Sequence, residues 1–372
     1  MARSLGSQAS AFPLACHSMS NGGANHDLSA MEGDGFYNRH SGMQAAGIAL
    51  LSSLWHTACQ TVTIDKGPLT IVDYGSSQGR NSMAPIRMAI EALRARAGSD
   101  IPIEVVHTDL PSNDFSALFA ALEKEPDSYL AGTSGVFPSA IGRSFFEQLL
   151  PSGRIHLGWT TWAMQWMSHS PADAPDHILA GMSASPAVMV AVKQQQAADW
   201  RRLLQVRSSE MRPGAKLLAG FTARTAREAG WEWLLGELWG AVEDMGREGL
   251  LSAQERQRIT IPIGLRSMEE IQEPFAANGR FADLAIERLE ILQVGDPCWH
   301  DFHRTGDARA FAQRHADMTQ AWAGPTIARL IDASRNPAKL VNELFARVAG
   351  RLAIKPRKHE PYMAVALLTK AV

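Results

Sequence analysis

Apolar positions recur every three to four residues from Ser41 to about Gln60, at Met43, Ala46, Ile48, Leu51 and Leu54. That spacing predicts a helix. A turn at Lys66-Gly67-Pro68 follows, then an apolar run from Leu69 to Tyr74 with the length of a buried strand. Gly75 to Gly79 is a small-residue loop. Asn81 to Ala97 returns to helical spacing, with Met83, Ile86, Ile90 and Leu93 on one face. Ile103 to Thr108 reads as a second strand, closed by Asp109. Strand, glycine-containing loop, helix, strand and acidic residue together form the opening unit of a doubly wound, parallel α/β sheet. Further strands are expected at Tyr129 to Thr133, Arg154 to Trp159 and Lys216 to Phe221, the last preceded by a turn at Arg212-Pro213-Gly214. Tyr362 to Lys370 alternates as a closing edge strand.

The pattern divides the chain. Residues 1–30 are rich in Ser, Gly, Asn and Ala without periodicity and read as a flexible tail. Residues 31–221 with 360–372 form the α/β core. Residues 222–359 are mainly helical, with Trp231, Trp233, Leu234, Leu238 and Trp239 crowded together, and read as a cap over the sheet's carboxyl edge. Hydrophobic residues are 45% and charged residues 20% of the 372, enough for a packed core and against a disordered chain. A formal charge of −2 removes the basic footprint of a nucleic-acid binder. Cys16, Cys59 and Cys298 are odd in number and give no disulfide framework. No apolar run reaches the roughly 18 residues that span a bilayer, and Pro13 breaks the only leader-like patch. The expectation is a cytoplasmic protein with no membrane partner.

Asp73-Tyr-Gly75-Ser-Ser-Gln-Gly79-Arg-Asn81 follows the first strand. Its glycines let backbone approach a ligand closely. The spacing is Gly-x-x-x-Gly, not the Gly-x-Gly-x-x-Gly of a dinucleotide fold. Asp73 would repel a pyrophosphate but welcome the cationic aminopropyl part of S-adenosylmethionine. Asp109 ends the next strand, where a carboxylate accepts hydrogen bonds from ribose hydroxyls. A structural turn with no ligand is the other reading of the loop alone.

Four blocks resemble the SABATH family of S-adenosylmethionine-dependent carboxyl methyltransferases, named for salicylate, benzoate and theobromine enzymes. They are Met31 to Gln44, Asp73 to Asn81, Thr108-Asp109-Leu110-Pro111-Ser112-Asn113-Asp114-Phe115, and Ser139-Ala140-Ile141-Gly142-Arg143 with Trp162-Ala163-Met164-Gln165-Trp166. The first matches in part the family's Met-Asn-Gly-Gly opening, and the fourth its Ser-Phe-Tyr-Gly-Arg and Tyr-Ser-Leu-His-Trp. Residues 261–270 and the end, Leu367 to Lys370, continue the likeness more weakly. His40, Ser76, Ala140, Trp162 and Gln165 depart from it. The resemblance implies a class I methyltransferase sheet with a helical cap and S-adenosylmethionine as cofactor. It implies a homodimer, and cofactor contacts from Tyr37, Gln44, Asp73, Gly75, Asn81, Asp109, Leu110, Ser139 and Ala140. It places the acceptor against Gln44, Trp162, Gln165 and Trp166.

Those residue types suit esterification of a small hydrophobic or aromatic carboxylic acid. Gln and Trp offer neutral N–H donors, which orient a carboxylate without tying up its lone pairs in an ion pair. Such acids, with pKa values of roughly 4 to 5, are already ionised near neutrality, so no catalytic protein base is expected. By spacing alone Gln44 is a helix-surface amide, and Trp162 and Trp166 are core on one helical face. Ring N-methylation, an NAD-linked oxidoreductase and a non-catalytic small-molecule binder are the alternatives. Cys298, His300 and His303 fit no closed zinc spacing, and no metal is expected. Glu269-Glu270 reads as a solvated first helical turn.

Overall fold

The computed structural model describes residues 29–372 apart from Asp34, Ser41 and the side chain of Tyr37. The expected tail therefore lies outside the described residues except for Ser29 and Ala30, and Ala30 is buried. Helices α1 (Phe36–His40) and α2 (Gly42–Thr61) lead into β1 (Leu69–Tyr74). A 3₁₀ turn and α3 (Met83–Ala97) carry the chain to β2 (Ile103–Asp109), and α4 (Phe115–Lys124) to β3 (Val136–Gly142) and β4 (Ile155–Thr161). The long α5 (Pro186–Glu210) runs into β5 (Met211–Thr222). Then come α6 (Glu232–Arg247), α7 (Ala253–Arg258), α8 (Met268–Gln272), β6 (Arg280–Phe281) and β7 (Leu284–Gln293). Helices α9 (Pro297–Thr305), α10 (Ala308–Leu330) and α11 (Pro337–Ile354) precede β8 (Tyr362–Lys370).

The strands form one sheet in the order β3-β2-β1-β4-β5-β8-β7-β6. β1 to β5 run parallel, and β8 is antiparallel to both its neighbours. β1 is buried at every residue, as a strand covered on both faces must be. Its side chains alternate: Leu69 and Ile71 join Trp55, Ile86 and Leu93 of α2 and α3, while Val72 and Tyr74 join Trp200 and Leu203 of α5. The doubly wound α/β class read from the sequence is the class observed.

Several expected elements sit elsewhere. Tyr129 to Thr133 is a set of turns, and the strand is β3, seven residues on. β3 is an edge strand, nowhere fully buried, and carries Pro138, which such an edge tolerates; its apolar signal is correspondingly weak. Arg212-Pro213-Gly214 is no turn ahead of a strand but a bulge within β5, where pairing slips from Ile155↔Met211 to Leu157↔Lys216. Gly214 has φ +77°, and a Cβ there would lie 2.0 Å from Thr63 Oγ1. β8 is not an edge: it lies between β5 and β7. β7 belongs to the same sheet although it falls within residues 222–359, expected to be mainly helical. Glu287, Arg288 and Glu290 break its apolar run, and its partial exposure permits them. In the rest of that segment α6, α10 and α11 pack against one another. Glu269 and Glu270 open α8, where Ser267 and Glu270 form a reciprocal capping box.

One buried ion pair fixes a loop of later importance. Arg207 and Glu210, near the end of α5, are fully buried. The Arg207 guanidinium donates to the carbonyls of Phe145 (3.0 Å) and Glu147 (2.7 Å). The Glu210 carboxylate accepts from Leu149 and Leu150 N–H and, at 2.7 Å, from the Tyr74 hydroxyl. The segment after β3 is thereby held to α5 through its backbone. Glu210→Ala strands a buried guanidinium and is expected to cost about 3–5 kcal/mol, read as a lower midpoint in urea unfolding.

Candidate active site

The parallel strands end their carboxyl termini along one rim, and the loops that leave it build two adjoining hollows. In the first, Gly75 and Ser76 N–H both donate to Thr108 O, at 2.8 and 3.0 Å, pinning the turn after β1 to the end of β2. Gly75 adopts φ +79°, and a Cβ there would meet Ala163 Cβ at 2.3 Å. Only glycine fits both the conformation and the contact. Asp109 accepts from Ser77 N–H (2.7 Å) and Leu110 N–H (2.7 Å), and Asn113 donates to Ser77 O at 2.8 Å. Burial pushes the Asp109 carboxyl up to about 6, and the like charge of Asp73 adds to it against the lowering by those two N–H groups. Gly75, Ser77, Asp109, Leu110, Ser144 and Phe145 line this hollow.

Asp73 lies beneath it, 2% exposed. Its carboxylate stands 3.0 Å from His107 Nδ1, and His107 Nε2 stands 2.8 Å from the Tyr129 hydroxyl. An ionised carboxylate only accepts, so Nδ1 carries the proton and Tyr129 donates to Nε2. Burial and Asp73 hold the Tyr129 phenol well above its usual range, which keeps it a donor.

The second hollow adjoins the first. Its walls include Trp162, Trp166, Trp231, Trp322, Leu235 and Ile263, with Gln44, Gln165 and Thr222 as polar members. No charged side chain among the described residues lines it. Trp162 and Trp166 also line the first hollow, so the two indoles form a shared wall. Trp162 has φ +57°. Its N–H donates to Gly220 O (2.8 Å) and its indole to Gln44 O (3.2 Å). Its ring fills the gap at Gly47, where a Cβ would come within 2.6 Å of it. The loop carrying Trp166 is clamped by Arg266, a buried guanidinium that donates to Met164 O (2.8 Å) and Gln196 O (3.2 Å).

The structure thus brings together Gly75, Asp109, Leu110, Gln44, Trp162, Gln165 and Trp166. Gln165 is spent on structure, its amide donating to Trp162 O at 2.7 Å. Gln44 Oε1 is buried without a partner among the described residues. Asn81 lines a separate groove with Ile48 and Trp159. The side chain of Tyr37 lies outside the described residues. Ser139 and Ala140 are not brought to the rim: they pair with Val106 and His107, short of Asp109, which pairs with Gly142. Ser144 and Phe145 stand there instead. The signal for them was Ser144-Phe145-Phe146, a Ser-Phe-aromatic run just past the block in which the pair was sought. His107 and Tyr129 had no motif to betray them, since only the sheet register brings them to Asp73.

A family model described as SAM-dependent carboxyl methyltransferase matches residues 25–371. The chain is 27% identical to indole-3-acetate O-methyltransferase 1 of Arabidopsis thaliana over 348 residues, 86% of this chain and 88% of that protein. It is 26% identical to gibberellic acid methyltransferase 2 of the same plant over 368 residues, 88% of this chain and 90% of that one. A solved structure, loganic acid methyltransferase with S-adenosylhomocysteine, superposes with a TM-score of 0.74 at 17% identity, covering 92% of this chain and 99% of that one. At that identity the likeness concerns the fold alone.

Gly75→Ala is expected to lower stability by about 1–3 kcal/mol through the left-handed backbone and the contact with Ala163. Denaturant unfolding checks it, and adding Ala163→Gly is expected to restore the part due to the clash.

Proposed function

Because this chain belongs to the S-adenosylmethionine-dependent carboxyl methyltransferases, the SABATH family, we propose that its acceptor is a small hydrophobic acid with an aromatic body, held by Gln44 and Trp166. Membership makes it an enzyme that uses S-adenosylmethionine to methylate a carboxylate oxygen. The oxidoreductase and non-catalytic readings fall away with it. The observation that carries the acceptor reading is an uncharged wall of indoles and aliphatic side chains in which the Gln44 amide, its Oε1 buried without a partner among the described residues, stands with the Trp166 indole. A plant relative with the printed name indole-3-acetate O-methyltransferase is in keeping with a fused-ring body.

The first hollow fits the cofactor on its own geometry. Gly75 and Asp109 line it, Ser77 Oγ is buried without a partner among the described residues, and Asp109 keeps lone pairs beyond its two N–H bonds. We assign it to Gly75, Asp109 and Leu110, with Ser144 and Phe145 in the places expected of Ser139 and Ala140. When bound, the cofactor supplies an electrophilic methyl group on a sulfonium. The chain's residues do the rest. Asp109 accepts hydroxyl hydrogen bonds, and Asp73, fixed by His107, supplies negative charge beneath a cationic group. Gln44 and Trp166 hold the acid's carboxylate with neutral donors, and the tryptophans exclude water. Alignment and approach then carry the catalysis.

No helix among the described residues is long and apolar enough to cross a membrane. The reading keeps a cytoplasmic enzyme, supported by the free cysteines Cys59 and Cys298. It also keeps the homodimer implied by the resemblance, for light scattering to test.

Incubation with methyl-labelled cofactor and a panel of aromatic and aliphatic acids, beside a xanthine panel, is expected to give methyl esters of the hydrophobic acids. N-methylated purines alone would overturn the acceptor assignment. Gln44→Ala is expected to lower kcat/KM for the acid about tenfold to a hundredfold, with a smaller change in cofactor affinity. A raised carboxyl pKa means that Asp109 favours the folded state below its unfolded value near 4 and loses that contribution as pH rises through about 6. The ionised carboxylate is the stronger acceptor, with both oxygens free of a proton. Calorimetry is therefore expected to show S-adenosylhomocysteine binding tighten as pH rises through about 6, a dependence that Asp109→Asn flattens while weakening the complex.

A further inference from the structure

Behind the tryptophan wall, three stretches far apart in sequence converge: the start of α9, the middle of α10 and the residues ahead of β8. Ligand atoms of Asp296, Cys298 and His315 lie within 4.8 Å of one another. Asp296 Oδ2 stands 3.3 Å from His315 Nε2, yet neither ring nitrogen of His315 has a hydrogen-bond partner among the described residues. His359 adjoins them: its backbone N–H donates to Asp296 Oδ2 at 3.1 Å, and its ring lies 5.7 Å from that of His315, centroid to centroid. Both imidazoles are 1% exposed. A buried polar group left unpaired costs about 1–3 kcal/mol, so the His315 imidazole, set against a carboxylate and a thiol, asks for a partner.

We propose that Asp296, Cys298 and His315 bind a zinc ion, with a water as fourth ligand. The donor set is a carboxylate, a thiolate and an imidazole, which suits zinc and disfavours magnesium or calcium. Metal–oxygen and metal–nitrogen bonds of about 2.0–2.1 Å at the tetrahedral angle put the two ligand atoms about 3.3 Å apart. That is the Asp296–His315 separation. Asp296 is oriented from behind, since Cys298 and Trp299 N–H donate to its other oxygen at 2.9 and 3.2 Å. A small hollow lined by Cys298, Phe302 and Arg314 gives the ion a way in. On binding, the Cys298 thiol proton passes to solvent. His300 and His303, the histidines nearest Cys298 in sequence, take no part.

The role is structural. The ion ties α9 to α10, Asp296 holds the 359 segment, and His359 packs edge-on against Trp231 at 4.8 Å, so the ion sets a wall of the acceptor pocket. The test uses the full chain stripped by a chelator, incubated with zinc chloride, desalted and analysed by plasma mass spectrometry, with cobalt(II) absorption alongside. About one zinc per chain, a raised melting temperature and a thiolate-to-cobalt charge-transfer band are expected. Cys298→Ser, folded by circular dichroism, is expected to lose the band and weaken zinc binding at least about tenfold. His315→Gln is expected to do the same, and Cys59→Ser to behave as wild type. Substoichiometric zinc in the wild type, or equal retention in Cys298→Ser, would overturn the site.

Discussion

Trp162 occupies a left-handed backbone conformation that a bulky residue takes at a cost of about 1–3 kcal/mol and keeps only when its surroundings leave no alternative. Three contacts impose it: the N–H on Gly220 at the end of β5, the indole on the Gln44 carbonyl, and the ring filling the space beside Gly47. Through this residue β4, β5 and α2 reach the same point. Trp162 and Trp166 line both hollows, so the partition between cofactor and acceptor is the feature that aligns them. A glycine in the middle of α2 costs helix stability of about 1 kcal/mol, and here that cost makes room for an indole.

The rim is supported from below by groups that do not face it. His107 holds the Asp73 carboxylate and is itself held by Tyr129. Arg207 and Glu210 fix the segment bearing Ser144 and Phe145 through its backbone groups. Arg266 does the same for the loop bearing Trp166. In the last two cases a buried polar side chain grips main chain, so the loop's course does not depend on its own exposed residues. This is how irregular segments keep sub-ångström placement at the end of a sheet.

The central sheet was legible because β1 and β2 are largely buried and carry the apolar, β-branched stretches Leu69, Ile71, Val72 and Ile103, Val105, Val106. β3 and β7, each half-exposed, carry proline or charges that a buried strand could not, and pattern alone missed them. The same blind spot bears on the site: with the strand expected too early, the Ser-Phe pair was sought at Ser139-Ala140, whereas the residues lining the hollow are Ser144 and Phe145. Gln44, Trp162 and Trp166 were reachable through motif order, since each stands in a contiguous block. Asp73–His107–Tyr129 and Asp296–Cys298–His315 are assembled from residues that only tertiary register unites, and no local spacing encodes them.

The interior position of β8 has a consequence for synthesis. β5 and β7 meet only through it, so a nascent chain on the ribosome carries a divided sheet with an unpaired β5 edge until the residues of β8 emerge. Such an edge is a template for pairing with the wrong partner, and pairing across so long a stretch of chain is slow. The strand order therefore makes the pairing of β8 the step that closes the sheet.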